Sequence, residues 1–409
     1  MGLFSFFRSK PAPSADSTSA PSSPVSIQFG LGLVQRVAQG TTSNVAVSPL
    51  GVLAALALAL NGAGGTTRKE LGQALFDSTE DMAAAEAAFG RWLRQLPQLD
   101  ESADAGASLT IASSLWADRR FALAPTFAKQ VRDLYDAEVD TLDFSYSNAA
   151  STINRWVQKQ TKGRIPAIIT PAVLSSAPPA LLLLNAVHFR AKWASTFYRD
   201  GTRPGWFRLA DGRQQEAQLM RQVSDDIGYL AGDGWQAISL PYAGFPTRFA
   251  MQVFLPNAPD GLPTFLKALN ARSWKKWQAS FSNPAELEVD LMLPRFRVEW
   301  SHDLVPMLQQ LGLNTPFAPG ADFSTMGFRT EDGGGFISAV LHKTFVEVDE
   351  EGTEAAAATA IMMVMAGPPP SVPKRRVTVK VDSPFFYAIV DQQDGSLIFA
   401  GTINELAQS

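Results

Sequence analysis

Residues 350–376 read EEGTEAAAATAIMMVMAGPPPSVPKRR, and this stretch fits no single secondary structure. Its alanines favour a helix, because Ala has the lowest helix cost of any residue. The run nevertheless has no polar face, and it stops at three prolines, which donate no backbone hydrogen bond. Taken alone, the stretch is typical of a low-complexity linker or an exposed helix. Other segments of the chain are needed to decide which interpretation is right.

The composition of the 409-residue chain is that of a globular protein, with 46% hydrophobic and 18% charged residues. A net charge of −4 gives no basic footprint, so we expect neither nucleic acid nor an anionic membrane as a partner. The absence of cysteine excludes disulfides, thiolate nucleophiles and cysteine metal sites. The start, MGLFSFFRSK, does not have the order of a secretory signal. We therefore expect a cytoplasmic protein, with export by a route without a signal peptide as the alternative.

The organisation of the chain favours one large domain after a tail. Residues 9–24 are rich in Ser and Pro and contain no large apolar side chain, so they cannot support packing. We predict that residues 1–24 form a disordered tail and that residues 25–409 form a single domain. Helix and strand signals alternate without the regular rhythm of a parallel sheet, which predicts an α+β fold with mixed sheets and surrounding helices.

Several elements have clear start and stop signals. Ser48 and Pro49 suit the cap and first position of a helix that Asn61-Gly62 closes. The predicted helices are 49–60, 125–135, 151–161 and 302–311. An apolar run at 180–193 is typical of a strand buried on both faces, and 286–299 alternates as a strand should. Residues 385–390 and 396–402 are predicted to form a hairpin around Asp394-Gly395.

Catalytic and metal-binding motifs are missing from the sequence. His188, His302 and His342 are too far apart for a local metal motif, and the spacings of zinc proteases, EF-hands, P-loops and dinucleotide-binding loops do not occur. There is no G-x-S-x-G elbow either. We expect no metal, no cofactor and no enzyme activity. His342 has two interpretations: a hydrogen-bonded core histidine, or a member of a polar network under a movable strand.

Several separated segments together resemble the serpin family. They include NVAVSPLGVLAALALALNGAGGTTRKEL, INRWVQKQTKGRI, LLNAVHFRAKWASTF, LPRFRVE, LGLNTPF, LHKTFVEVDEEGTEAAAATA and SPFFYAIVDQQDGSLIFAG, in the family's order. The resemblance covers about residues 26–405. It departs from the family's pattern at Gly51, where a second Ser is usual, and at Ala191, where Gly is usual. The resemblance implies a serpin domain with an exposed reactive centre loop.

The resemblance also implies a mechanism that explains the opening stretch. In serpins, a protease cuts the reactive loop, and the loop then inserts as a new strand into a sheet. The chain would thus be a suicide-type inhibitor that traps a serine protease as a covalent acyl-enzyme. We expect a monomer, and no heparin-type cofactor because no basic helix is evident. The runner-up is a non-inhibitory serpin that acts as a binding protein or chaperone, which would carry charged, bulky or proline residues in the hinge.

The loop sequence suits insertion. Strand alternation places one set of small or apolar residues on the inward face, namely Thr353, Ala355, Ala357, Thr359, Ile361 and Met363, while Glu354 falls on the outward face. No proline interrupts 351–367, so every amide there is free to join a ladder. About fourteen residues at roughly 3.3 Å each would carry an attached protease on the order of 45 Å.

The resemblance assigns roles to individual residues. The reactive bond is expected at Ala366-Gly367, with Met365-Ala366 as the alternative, so elastase-like, subtilisin-like or chymotrypsin-like proteases are the expected targets. Gly352 is expected to supply a flexible hinge, and the hinge set is Glu350, Gly352, Thr353, Ala355, Ala356, Ala357 and Ala358. The residues expected to support insertion are Ser48, Asn185, Trp193, Arg295 and His342. Arg295 and Glu350 are expected to form a salt bridge.

Overall fold

The computed structural model describes most of the chain, namely residues 25–77, 81–96, 107–175, 180–244, 247–281, 287–328, 335–353 and 374–406. Within these ranges the chain forms ten α-helices: α1 Ile27–Ala38, α2 Pro49–Gly62, α3 Gly65–Phe76, α4 Met82–Gln95, α5 Pro125–Tyr135, α6 Ala149–Gln160, α7 Pro171–Ser175, α8 Leu262–Ala268, α9 Ala271–Gln278 and α10 Val305–Gln310. Three short 3₁₀ turns lie at Arg199–Gly201, Thr315–Phe317 and Ser324–Met326.

The same ranges contain sixteen β-strands: β1 Val45–Val47, β2 Ala107–Asp118, β3 Glu138–Leu142, β4 Leu181–Lys192, β5 Arg203–Arg208, β6 Gln214–Ser224, β7 Gly228–Gly232, β8 Trp235–Pro241, β9 Phe249–Pro256, β10 Leu287–Pro294, β11 Phe296–Asp303, β12 Ile337–Val348, β13 Gly352–Thr353, β14 Arg375–Lys380, β15 Phe385–Asp391 and β16 Leu397–Ile403.

Three sheets organise these strands. The first has the order β11-β12-β13-β4-β2-β3, the second β1-β16-β15-β9-β8-β7 and the third β14-β10-β6-β5. The first sheet mixes parallel and antiparallel pairs, since β12 runs parallel to β4 whereas β2 runs antiparallel to it. Helices and mixed sheets together make the α+β fold that the sequence predicts.

Helix α2 forms the centre of the core. All of its residues are buried, and it packs against β2 and β4 of the first sheet and β16 of the second. A helix that is apolar on every side is stable only when protein surrounds it. Ser48 caps the helix by accepting a hydrogen bond from the Gly51 amide, and Pro49 occupies the first turn. The predicted start signal is therefore confirmed.

Most predicted elements are present, and one boundary was wrong. The helix predicted at 302–311 begins only at Val305, because His302 and Asp303 continue strand β11 and pair with His342 and Leu341 of β12. Strand pairing across the sheet overrides the local helix signal here. The single strand predicted at 286–299 was also wrong: within the described part, 287–299, the chain forms two strands, β10 and β11, that are divided at Arg295. The predicted hairpin is confirmed by the pairing of β15 with β16.

Candidate functional site at the junction of β4, β12 and β13

The first residues of the alanine-rich stretch already lie inside the first sheet. Strands β4 and β12 pair directly and in parallel as far as His188 and Phe345. Beyond that pair the two strands separate, and β13 lies between their ends, antiparallel to both. Thr353 is opposite Val348 on one side and Ala191 on the other. The sheet is thus open at this end and occupied by the start of the loop.

Thr353 faces inward, as the predicted strand alternation requires. Its side chain is 0% exposed, and its hydroxyl lies 2.6 Å from the hydroxyl of Tyr242. Tyr242 is itself buried, and its ring stacks on Trp193 with the ring centroids 4.7 Å apart. Burial raises the pKa of Tyr242, so the tyrosine is a neutral partner for the threonine. Any side chain at position 353 must fit this closed aromatic corner.

Gly352 lies at a close backbone approach that the sequence does not reveal. Its φ is not in the left-handed region, and it lies buried in β13 opposite Lys192. A Cβ added there would overlap the carbonyl oxygen of Ala191. The hinge role of Gly352 stays a prediction, and the structure adds a second reason for glycine here: the backbone of β4 approaches too closely for any side chain.

Gly352→Ala is expected to push β13 out of the sheet. The methyl group has no space beside Ala191, and overpacking of this kind costs about 1–3 kcal/mol. Urea unfolding should show a loss of stability in that range. Gly201→Ala is the matched control, because the nearest atom to a Cβ there is 3.5 Å away. Equal behaviour of the two variants would contradict this account of Gly352.

The predicted salt bridge between Arg295 and Glu350 is present. Arg295 Nη2 lies 2.5 Å from Glu350 Oε1, and Arg295 Nε donates to both carboxylate oxygens at 3.0 Å. Thr202 Oγ1 also donates to Oε1, at 2.5 Å. Burial raises the pKa of Glu350, but the hydrogen bonds from Arg295 and Thr202 outweigh burial and leave the pKa below its usual value. The carboxylate is thus charged and fully bonded at neutral pH.

The neighbouring residues of the turn are bonded just as tightly. Trp193 donates from Nε1 to the Asp349 carbonyl and from its amide to the Glu351 carbonyl, both at 2.9 Å. The Asp349 carboxylate accepts from the Glu351 and Gly352 amides at 2.8 and 3.1 Å. Arg199 pairs with Glu351 at 2.5 Å. These bonds anchor the chain as far as β13.

A second polar group lies under the paired part of β4 and β12. His342 is 0% exposed, and its Nε2 accepts a 3.0 Å hydrogen bond from the Ser48 amide. Asn185 is its direct cross-strand partner and donates to Ser113 Oγ at 2.9 Å. Burial lowers the pKa of His342 to about 3, so the ring is neutral. His342 is a hydrogen-bonded core histidine, and it also lies where the two strands would have to separate.

Gly51 explains how helix α2 comes so close to that group. A Cβ added at Gly51 would overlap Asn185 Oδ1 and Val187 Cγ2. The departure from the family's second Ser is thus accommodated by direct contact between the helix backbone and β4. Among the described residues, Asn185 Oδ1 is buried and accepts no hydrogen bond. Such an unsatisfied acceptor costs free energy while β4 and β12 remain paired.

Sequence reasoning found some site residues and missed others. Glu350, Gly352, Thr353 and the five support residues lie at the two places just described. Tyr242, Thr202 and Arg199 were missed, since they reach the site only through tertiary contacts and carry no local signal. The predicted hinge alanines 355–358, the bond at 365–367 and the tail 1–24 lie outside the described residues.

Two observations concern membrane-spanning helices and metal binding. No helix in the described ranges is long and apolar enough to cross a membrane. The part of the chain that the structure describes contains no group of three or more His, Asp or Glu side chains placed to hold a metal ion.

Known proteins similar to this chain were found by sequence and by structure. The family described as Serpin (serine protease inhibitor) matches residues 25–406. Serpin-ZXA of Oryza sativa subsp. japonica is 34% identical over 371 residues, which cover 90% of this chain and 91% of the relative. The leukocyte elastase inhibitor of Sus scrofa is 31% identical over 386 residues, covering 92% and 97% of the two chains.

A solved structure has the same fold. The crystal structure of a thermophilic serpin, tengpin, in the native state matches with a TM-score of 0.82 at 28% identity, and the match covers 93% of this chain and 92% of that chain. The similarity therefore extends over nearly the whole molecule and not over one element alone.

Proposed function

The chain belongs to the serpin family, and from this premise we propose that it is a suicide-type inhibitor of serine proteases. Members of the family are protease inhibitors rather than enzymes. The observation that supports the inhibitory form is the position of Gly352 and Thr353 as a short strand between β4 and β12. The rest of the loop would follow them into the sheet after a protease cuts it.

The strand register predicts how far insertion goes. Thr353 lies opposite Ala191 and Val348 in antiparallel pairs. Continuing this register one residue at a time, and keeping the irregularity of β12 between Ile337 and Ala339, places Met363 opposite both Leu181 of β4 and Ile337 of β12, which pair with each other in the uncut sheet. The sheet would be filled by residue 363, shortly before the proposed reactive bond Ala366-Gly367 or its alternative Met365-Ala366. Loop length and strand length therefore agree.

The same register matches each loop side chain with its surroundings. Odd-numbered residues of β4, such as Val187 and Phe189, belong to the main core, so Ala355 and Ala357 would face that core. Glu354 would lie on the other face, opposite Arg190 on β4 and Glu347 on β12. The attraction to Arg190 and the repulsion from Glu347 would largely offset each other. The inserted segment thus needs no buried charge.

Thr359 would lie between Asn185 and His342, the polar pair under the sheet. Continuing the register places it opposite Asn185 on β4 and opposite His342 on β12. Its hydroxyl would donate to Asn185 Oδ1, the acceptor that has no partner among the described residues. Insertion would replace the Asn185–His342 strand contact with hydrogen bonds to the new strand on both sides. Satisfying this buried acceptor would lower the free energy of the opened sheet relative to the paired one.

The inhibited species would be an acyl-enzyme. The serine of the protease attacks the loop carbonyl, the new amino terminus leaves, and insertion carries the bound protease along the sheet before water can hydrolyse the ester. Small or apolar residues at 365–367 suit the shallow apolar pockets of elastase-like, subtilisin-like and chymotrypsin-like enzymes. Similarity to a leukocyte elastase inhibitor supports this target class.

The test is a denaturing gel after mixing the protein with elastase or subtilisin. We expect a covalent band at the summed mass less that of the released C-terminal fragment, and sequencing of this fragment should begin at Gly367, or at Ala366 if the alternative bond is cut. A protease whose serine has been blocked chemically is the control and should give no band. Simple cleavage without a covalent band would point to a substrate or a non-inhibitory binding protein.

A further inference from the structure

A surface cleft of about 450 Å³ lies between α1, α3 and the turn that follows α10, and we call it the α1–α3 cleft. Sites that bind small molecules usually have volumes of roughly 300–1,000 Å³. None of the described residues that line the cleft belongs to the candidate site at β4, β12 and β13. The cleft is therefore a separate feature of the molecule, and the loop mechanism does not account for it.

The inner wall of the α1–α3 cleft is apolar. Phe29 of α1 and Leu313 after α10 are buried members of the main core, and Ala74 of α3 and Leu311 pack against the same core. Ala74 has a side chain of only one carbon, so α3 does not fill the space in front of this wall. An apolar group that enters the cleft would exclude water from these side chains, which favours binding.

The outer wall of the cleft offers hydrogen-bond acceptors. Gln35 Nε2 donates to the carbonyls of Leu266 and Leu269 at 2.6 and 3.0 Å, which fixes the amide and leaves Gln35 Oε1 without a donor among the described residues. Asp77 Oδ1 accepts from Ser26 Oγ at 2.5 Å, while Oδ2 accepts no hydrogen bond from the part of the chain that the structure describes. Two acceptor oxygens are thus held in place with capacity to spare.

The charge of the cleft is negative on balance. Its described lining contains two carboxylates, Glu70 and Asp77, and one cation, Arg36. The Glu70 carboxylate is held by two backbone amides at 2.9 Å, so it cannot turn away from α3. Arg36 Nη1 donates to Gln39 Oε1 at 3.3 Å, beyond the last residue of α1. A cation that enters the cleft would therefore be favoured over an anion.

We propose that the α1–α3 cleft binds a small amphipathic amine. The apolar body of the ligand lies on Phe29 and Leu313, and its protonated amino group bonds to Asp77. An ammonium group carries three donors and no acceptor, so it suits a wall on which acceptors are available. This binding does not depend on the reactive loop, so it stands or falls separately from the proposed inhibition.

Dansylcadaverine is a suitable probe, because it joins an aromatic fluorophore to a primary amine and brightens in apolar surroundings. We expect saturable binding with a Kd on the order of 10 µM, which is usual for a ligand of this size. Its N-acetyl derivative is uncharged and should bind about threefold to fivefold more weakly, and dansylglycine, an anion, more weakly still. About 1 M salt should remove these differences, because exposed charges are screened. Dansylglycine binding as tightly as dansylcadaverine at low salt would overturn the proposal.

Two variants locate the site. Asp77→Asn should bind dansylcadaverine only as tightly as the N-acetyl derivative, and it should keep the fold, because the φ of 56° at this position is one that Asn tolerates. Ala74→Phe should fill the cleft and weaken all of the probes by at least about tenfold, the usual range for loss of an apolar pocket. Ala83→Phe is the matched control, because Ala83 is exposed on α4, and it should bind like the unmodified protein.

Equal binding of dansylcadaverine by Ala74→Phe and Ala83→Phe would show that the probe binds elsewhere and would overturn the proposal. A preference for the charged probe that survives in Asp77→Asn would overturn the role of Asp77. Thermal unfolding of each variant shows whether it is folded, and formation of the covalent protease complex is measured separately, so failure of the proposed inhibition and failure of this site are distinguishable.

Discussion

Thr353→Arg is expected to abolish inhibition and to turn the protein into a substrate. Position 353 is 0% exposed, faces Tyr242 and lies between β4 and β12. A guanidinium in this corner has no carboxylate partner, and an unpaired buried charge costs about 3–5 kcal/mol. Thr353 already lies in β13, and the proposed insertion would extend that strand, so an arginine that keeps β13 out of the sheet would put the cost on the step that competes with hydrolysis. That step should slow by roughly 10²–10⁴-fold.

The measurement is the ratio of covalent complex to cleaved inhibitor after reaction with elastase or subtilisin. Thr353→Arg should give cleaved protein and little or no complex. Thr353→Val serves as the control, because it keeps the shape and loses only the contact with the Tyr242 hydroxyl, so it should still inhibit. Full inhibition by the arginine variant would mean that residue 353 does not have to stay in the sheet.

Cleavage of the loop is expected to make the protein more resistant to heat. The proposed insertion would break the direct β4–β12 ladder but form two new ladders, so the net gain would be about one strand's worth of hydrogen bonds. About ten bonds at roughly 1 kcal/mol each amount to on the order of 10 kcal/mol. For a domain of this size, that gain should raise the Tm by on the order of 10–20 °C. The uncut protein would thus be held in a less stable state by kinetics.

Thermal unfolding of cut and uncut protein tests this directly. A metalloprotease is the appropriate cutting agent, since it forms no acyl-enzyme and cannot be trapped. The Thr353→Arg variant, cut in the same way, should gain little, because its loop cannot start to insert. Equal melting temperatures for the cut and uncut wild-type protein would show that no energy is stored in the uncut sheet, and the proposed trap would then have no driving force.

Local sequence signals predicted the elements that depend on neighbouring residues. Helix α5 has the predicted bounds, and α2 begins at the predicted cap, because capping and helical periodicity act within a few residues. Strand alternation placed Thr353 on the inward face before any fold was known. The family resemblance added the Arg295–Glu350 pair, which no local pattern indicates.

Tertiary structure decided the features that depend on residues far apart in the chain. Strands β4 and β12 pair although they lie about 150 residues apart in the chain. They separate beyond His188 and Phe345, and this separation makes room for β13. A similar separation in sequence lies between Gly352 and Ala191. Glycine is required at 352 because Ala191 lies against it and leaves no space for a Cβ. Sequence by itself determined which residues suit a strand and which face each would take, since these follow from the backbone. Whether a place in the sheet exists for that strand was decided by packing between distant segments, which no local pattern encodes.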